Sequence, residues 1–189
     1  MHDPFILKYD KTDYELQEFL LFCIAAGNTN AKAAASAVDR LVGPSAPRLP
    51  FDTVKSLGSD LQKAMQIAGL RMNVTRSRYF LAVAESGLDL RTCTVRDLEK
   101  VLGIGPKTSR FFIVHSRPGQ RYAVLDVHIM TYLRGKGFET PKRPTKTNYA
   151  RWEKVFLAHA DEIGIIDLAE FDIGLWAWYR EARDPASAN

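Results

Sequence analysis

Cysteine is nearly absent: the 189-residue chain has two, Cys23 and Cys93, far apart in sequence. An iron–sulfur cluster needs four thiolates, and no CxxC or HExxH spacing offers zinc ligands, so no metal site and no cofactor are expected. No apolar run approaches the ~18 residues that suggest a membrane span. The stretch from Met1 to Tyr14 carries Asp3, Asp10 and Asp13 and lacks a basic segment followed by an apolar one, so no secretory signal is expected. Sustained period-two alternation is missing, which argues against a sheet. There is no internal repeat and no low-complexity tract. These absences fit a soluble protein in a reducing cytoplasm, with no membrane partner.

What is present begins with 46% apolar residues, too many for a disordered chain and enough for a buried core. Lys and Arg number 26 against 22 Asp and Glu, an unremarkable balance, but the excess is not spread evenly. Residues 100–154 hold twelve basic and three acidic side chains, and the remainder of the chain is net acidic. Such asymmetry points to a polyanion, most simply nucleic acid, or to a solvated basic face.

The pattern is helical almost throughout. Tyr14 to Ala26 is strongly apolar and stops at Gly27, which predicts a central buried helix. Asn30 can cap a second helix over Ala31 to Val42, ended by Gly43 before Pro44 and Pro47. Further helices are predicted from Ser59 to Gly69 and from Thr75 to Ser86. Thr94 caps another over Val95 to Leu102, with Asp97 in the capping-box position. Two long helices follow, Thr147 to Ile163 and Leu168 to Glu181, and the tail after Arg183 should fray.

Chemistry concentrates between these elements. Gly103-Ile104-Gly105 makes a tight turn between two helices, and Pro106 suits the first position of the second. Such a helix-hairpin-helix aims backbone amides and a helix N-terminus outward together, an arrangement that holds phosphate without reading bases. An ordinary helix–helix turn would look the same. Ile104 should tuck back between the helices. Lys107 stands in the first helical turn, where the dipole disfavours a cation and eases loss of its proton. A neutral amine is what a Schiff-base nucleophile requires, and a surface lysine on phosphate is the plainer role. Nineteen residues later comes Asp126, within Leu-Asp-Val-His-Ile. It suits a helix N-cap, or a carboxylate facing Lys107 across a cleft. His128 reads as a packed or capping histidine.

Leu-Gly-Ile-Gly-Pro-Lys-Thr, then a Gly/Pro-containing loop, then Asp-x-His-Ile resembles the helix-hairpin-helix-GPD superfamily of DNA glycosylases, in particular its lysine-bearing 8-oxoguanine DNA glycosylase/AP lyase branch of short archaeal type. Phe22-Cys23-Ile24-Ala25-Ala26-Gly27-Asn28-Thr29-Asn30 resembles the family segment that fills the gap left by a flipped base. Phe171-Asp172-Ile173-Gly174-Leu175-Trp176 resembles the closing helix of the short archaeal enzymes. The resemblance implies an all-α, two-lobed fold with an interlobe cleft. Residues 1–30 and 136–189 would form one lobe, and residues 31–135 the other, with the hairpin over 95–116. It implies Lys107 as nucleophile and Asp126 as catalytic carboxylate. Gly103, Gly105, Lys107, Thr108 and Arg110 would bind DNA phosphate. Asn28, Asn30, Phe111, Asp172 and Trp176 would form the wedge and base pocket. The partner implied is double-stranded DNA with a flipped base, bound by a monomer.

Two departures matter. The iron–sulfur cluster of the endonuclease III relatives is missing, as the cysteine count requires. The short archaeal enzymes end in a lysine whose terminal carboxylate helps read the oxidised guanine, whereas this chain ends Ala188-Asn189, past Pro185. The expectation is weaker discrimination of 8-oxoguanine from guanine, or a wider pocket for a bulkier base. Three functions follow: a repair glycosylase/lyase for an oxidised purine; a glycosylase that removes a bulky modified phage base in defence; and a non-catalytic DNA-binding module. The presence of both Lys107 and Asp126 argues against the last.

Overall fold

Polar side chains mark where several of the helices begin. Thr12 and Glu15 form a reciprocal capping box at the start of α1 (Asp13–Ala25), and Asn30 caps α2 (Ala31–Val42) by accepting from the Ala33 amide. Each such cap is worth about 1 kcal/mol. The computed structural model describes residues 6–27, 29–43 and 48–181. Among these all the regular secondary structure is helical, with no strand. The remaining elements are α3 (Pro50–Leu57), a 3-10 turn (Gly58–Asp60), α4 (Leu61–Ile67), α5 (Asn73–Ala84), α6 (Val95–Glu99), α7 (Pro106–Ser116), α8 (Val127–Gly135), α9 (Tyr149–Glu162) and α10 (Leu168–Glu181). Among the described residues no helix is long and apolar enough to cross a membrane. The expected fraying after Arg183, the stop at Pro185, and Pro44 and Pro47 lie outside the described residues.

The all-helical expectation holds, with one helix more than expected. The segment between Gly43 and Ser59 reads as proline-rich loop, yet α3 fills much of it. Pro50 occupies its first turn, where the missing N–H costs nothing, and Phe51 and Val54 bury against the core. The predicted helix from Ser59 divides into the 3-10 turn and α4. The Thr94–Asp97 capping box of α6 is present, and Ile104 is buried in the hairpin as expected.

Buried side chains form two clusters that divide near residues 113 and 114. The first gathers α1 to α6 and most of α7; the second gathers Val114, the strap leading to Asp126, α8, α9 and the start of α10. Helix α1 is apolar on nearly all sides and must be covered on all sides, so it lies at the centre of the first cluster against α2, α3, α5 and α7. The segment before it crosses to the second cluster. Leu7 packs on the second cluster, and the Tyr9 hydroxyl donates to Asp167 Oδ2 at 2.7 Å.

Candidate active site

Helix α7 starts from an uncapped Gly105 followed by Pro106, at the exit of the hairpin. A Cβ on Gly105 would meet nothing within 4 Å, so its backbone is open to a ligand. Gly103 is different. Its φ of +90° favours glycine, and a Cβ there would lie 2.2 Å from the Tyr79 ring. The missing side chain at Gly103 thus admits a tyrosine, where close approach of a ligand was the expectation.

From that start α7 projects Lys107, Phe111 and His115 at successive four-residue steps, hence along one face. Lys107 is exposed, with Nζ 5.6 Å from the Phe111 ring centre. Phe111 meets His115 edge-on at 4.5 Å, and His115 Nε2 lies 3.0 Å from Asp172 Oδ2 on α10. All four line one cavity of about 660 Å³, together with Asn30, Gly105, Thr108, Asp126, His128 and Trp176. Its walls come from both apolar clusters: Phe22 belongs to the first, Val124 and Leu125 to the second.

Asp126 serves as the N-cap of α8. Its Oδ1 accepts from the amides of His128 at 2.7 Å and Ile129 at 3.0 Å. The expected N-cap is therefore real, and the same carboxylate lines the cavity with Lys107. Burial raises its pKa above the ordinary carboxylate value, and the negative charge of Asp172 adds to the rise; Lys107, the Ile129 amide and His128 act against it. His128 stacks on Tyr179 with ring centres 5.2 Å apart, the packed role expected of it.

The strap that carries Asp126 is braced from α9. The Tyr149 hydroxyl donates to the Ala123 carbonyl at 2.8 Å and accepts from the Leu125 amide at 2.9 Å. Glu153 Oε1 accepts from the Ala123 amide at 3.0 Å. Arg110 completes the brace and is a correction to the expected phosphate-binding set. Its guanidinium donates to both Glu153 oxygens at 2.7 and 3.0 Å and to Glu99 at 2.5 Å, and lies 4.8 Å from the Tyr149 ring centre. A guanidinium so paired and desolvated has no fork left for DNA.

The other assigned residues divide. Thr108, Phe111, Asp172 and Trp176 line the cavity, as does Asn30, whose side-chain oxygen is occupied in capping α2. Asn28 lies outside the described residues. The basic stretch is also split. Arg117 is tied to the Leu90 carbonyl, Arg121 to Asp161 and Arg134 to Thr140 and the Pro141 carbonyl, whereas Arg143 and Lys146 line the cavity.

Sequence reasoning missed four residues. His115 was within reach, because a four-residue step from Lys107 through Phe111 arrives at it. Tyr149 and Glu153 carry no comparable signal, since their partners, the backbone at Ala123 and Leu125 and the Arg110 guanidinium, are far away in sequence. Arg76 of α5 is the fourth. It is buried and donates to the carbonyls of Gly27 at 2.5 Å and Arg71 at 2.6 Å, and to Thr29 Oγ1 at 3.1 Å. It fastens the cavity lip formed by Gly27 and Thr29 to the turn at Arg71.

Comparison with known proteins gives a consistent picture. The model of a family described as 8-oxoguanine DNA glycosylase matches residues 3–165. The structure is similar to the crystal structure of the 8-oxoguanine DNA glycosylase of Thermotoga maritima, with a TM-score of 0.66 and 21% identity, covering 88% of this chain and 80% of that one. It is also similar to the 8-oxoguanine DNA glycosylase of Methanocaldococcus jannaschii, with a TM-score of 0.68 and 21% identity, covering 93% and 81%. At that identity the two structures speak for the fold.

Proposed function

We infer the function of this chain from one premise: it belongs to the 8-oxoguanine DNA glycosylase family. It is a DNA glycosylase that acts on oxidised purine in DNA. Lys107 is the nucleophile, Asp126 the carboxylate that serves it, and the cavity between the two apolar clusters is the cleft that receives the base. The observation that carries this assignment is that an exposed amine at a helix start and a half-buried carboxylate line one cavity.

A base inside a duplex is out of reach and is flipped into the cleft by a single protein molecule acting where the DNA is. Lys107 Nζ attacks C1′ as the N-glycosidic bond breaks. The base leaves with the bonding electron pair and takes up a proton. Positive charge builds on the sugar in this step, and Asp126 opposes it and accepts the proton that Lys107 must shed. Opening of the sugar ring gives a protonated imine. Loss of a C2′ proton then expels the 3′ phosphate, the lyase step. Gly105 and the Lys107 and Thr108 amides hold a backbone phosphate at the N-terminus of α7. Arg143, Lys146 and Arg71 line the mouth of the same cavity and add positive charge.

The test is covalent capture. Borohydride added during turnover on an 8-oxoguanine duplex is expected to join wild-type protein to DNA, and Lys107→Gln to give no adduct while still binding the duplex. Equal capture by both proteins would remove Lys107 from the chemistry.

A further inference from the structure

The two oxygens of Asp172 have different surroundings. Oδ2 lies 3.0 Å from His115 Nε2. Oδ1 takes no hydrogen bond among the described residues, in a side chain that lines the cavity and is 16% exposed. The histidine that holds the carboxylate is itself fixed. His115 is 5% exposed, its ring is packed edge-on against Phe111, and its carbonyl accepts from the buried Lys11 at 2.9 Å. A carboxylate can only accept, so Nε2 carries the hydrogen of the shared bond. The result is a carboxylate held through one oxygen, in the cavity that Phe111 on α7 and Trp176, one turn further along α10, also line.

An acceptor without a partner in a partly enclosed cavity favours a ligand edge that donates. An 8-oxopurine differs from its parent at two atoms, the C8 carbonyl and the hydrogen on N7. The parent purine has a lone pair at N7, where the oxidised one has a donor. Facing a carboxylate oxygen, the donor makes a charge-assisted hydrogen bond and the lone pair is repelled. We propose that Asp172, positioned by His115, is the specificity-determining residue of this site, its Oδ1 accepting the N7–H of the flipped oxidised purine. The inference rests on the glycosylase reading above.

Asp172→Asn tests it at one atom. The amide oxygen can still accept from His115, while the atom facing the cavity changes from acceptor to donor. Single-turnover excision is measured on duplexes carrying 8-oxoguanine and 8-bromoguanine; the latter keeps a C8 substituent but has a lone pair at N7. Wild type is expected to prefer 8-oxoguanine, and Asp172→Asn to lose at least about tenfold of that preference. His115→Gln, which keeps an N–H for Asp172, is expected to retain more of the preference than His115→Phe, which has none. A purely structural role would lower both rates together and leave the ratio unmoved. An equal loss on both bases would therefore overturn the proposal, and it is also the result expected if Asp172 met the N1 edge shared by both guanines. If wild type releases neither base, the glycosylase reading falls, and this inference with it.

Discussion

Lys107 and Arg110 sit one turn apart on α7, carry the same charge, and are both assigned by sequence to the DNA backbone. Only about 60° separates them around the helix axis, yet the fold gives them different surroundings. Lys107 faces the cavity and makes no ion pair among the described residues, so its amine is available. Arg110 is enclosed by Glu99, Glu153, the Pro106 carbonyl and the Tyr149 ring. One flank of the helix is left open for chemistry and the flank beside it is closed, holding the strap that carries Asp126. Positive charge in a sequence is a count; its availability depends on what the fold packs around each side chain.

Changes on the open face should alter rates more than stability, and changes on the closed face the reverse. The largest effect belongs to Asp126→Asn. Asparagine still caps α8, and burial disfavours the wild-type charge, so the melting temperature should change little, while excision falls by about 100-fold or more. The pH dependence has a definite sign. Because the folded pKa of Asp126 is raised, its protonated form favours folding, and this contribution is lost as pH rises from the ordinary value of about 4 through the raised one. Excision needs the carboxylate and should rise over the same interval. The acid limb of a wild-type single-turnover profile should thus lie above pH ~4 and vanish in Asp126→Asn. A limb at or below the ordinary value would place the controlling group elsewhere.

Arg110→Met probes the closed face. Removing one member of a partly buried ionic cluster leaves Glu153 and Glu99 uncompensated, at a cost of about 1–3 kcal/mol in a denaturant titration. Protein that stays folded should still form the borohydride adduct. Full stability with lost DNA affinity would restore Arg110 to the phosphate contacts. The hairpin glycines give the smallest effects and the sharpest contrast. Gly103→Ala meets both a left-handed φ and the Tyr79 ring, and should cost about 2 kcal/mol or more. Gly105→Ala enters open space and should stay within about 0.5 kcal/mol by the same titration, and weaken duplex binding instead. Similar stability losses at both positions would mean that Gly105, too, is constrained by packing.

The helix starts and the two reacting groups are legible in the amino-acid sequence. Asn30, Thr94 and Asp126 each mark a helix start with a local hydrogen bond, and local bonds leave local signatures. Lys107 and Asp126 can be named because the hairpin and the Asp-x-His-Ile segment are short, contiguous patterns. Helix α3 is hidden by prolines that read as loop. The burial of Arg110, the braces from Tyr149 and Glu153 and the place of Asp172 beside His115 all depend on pairs 20 to 60 residues apart. Such pairs are made by packing, and nothing in a linear pattern records which of twelve basic residues will meet a buried carboxylate.

Arg76 bears on the moving parts. By gripping the Gly27 carbonyl, Thr29 and the Arg71 carbonyl at once, it ties one rim of the cleft to the turn before α5. A rim tethered in advance surrenders little entropy when a duplex arrives, and it also yields little. The distortion needed to bring a base into the cleft then falls on the nucleic acid, where bending costs of order 1–6 kcal/mol and is least at weakly stacked steps. On such an anvil the softness of the surrounding sequence, as much as the lesion itself, would decide how quickly a damaged base is surrendered.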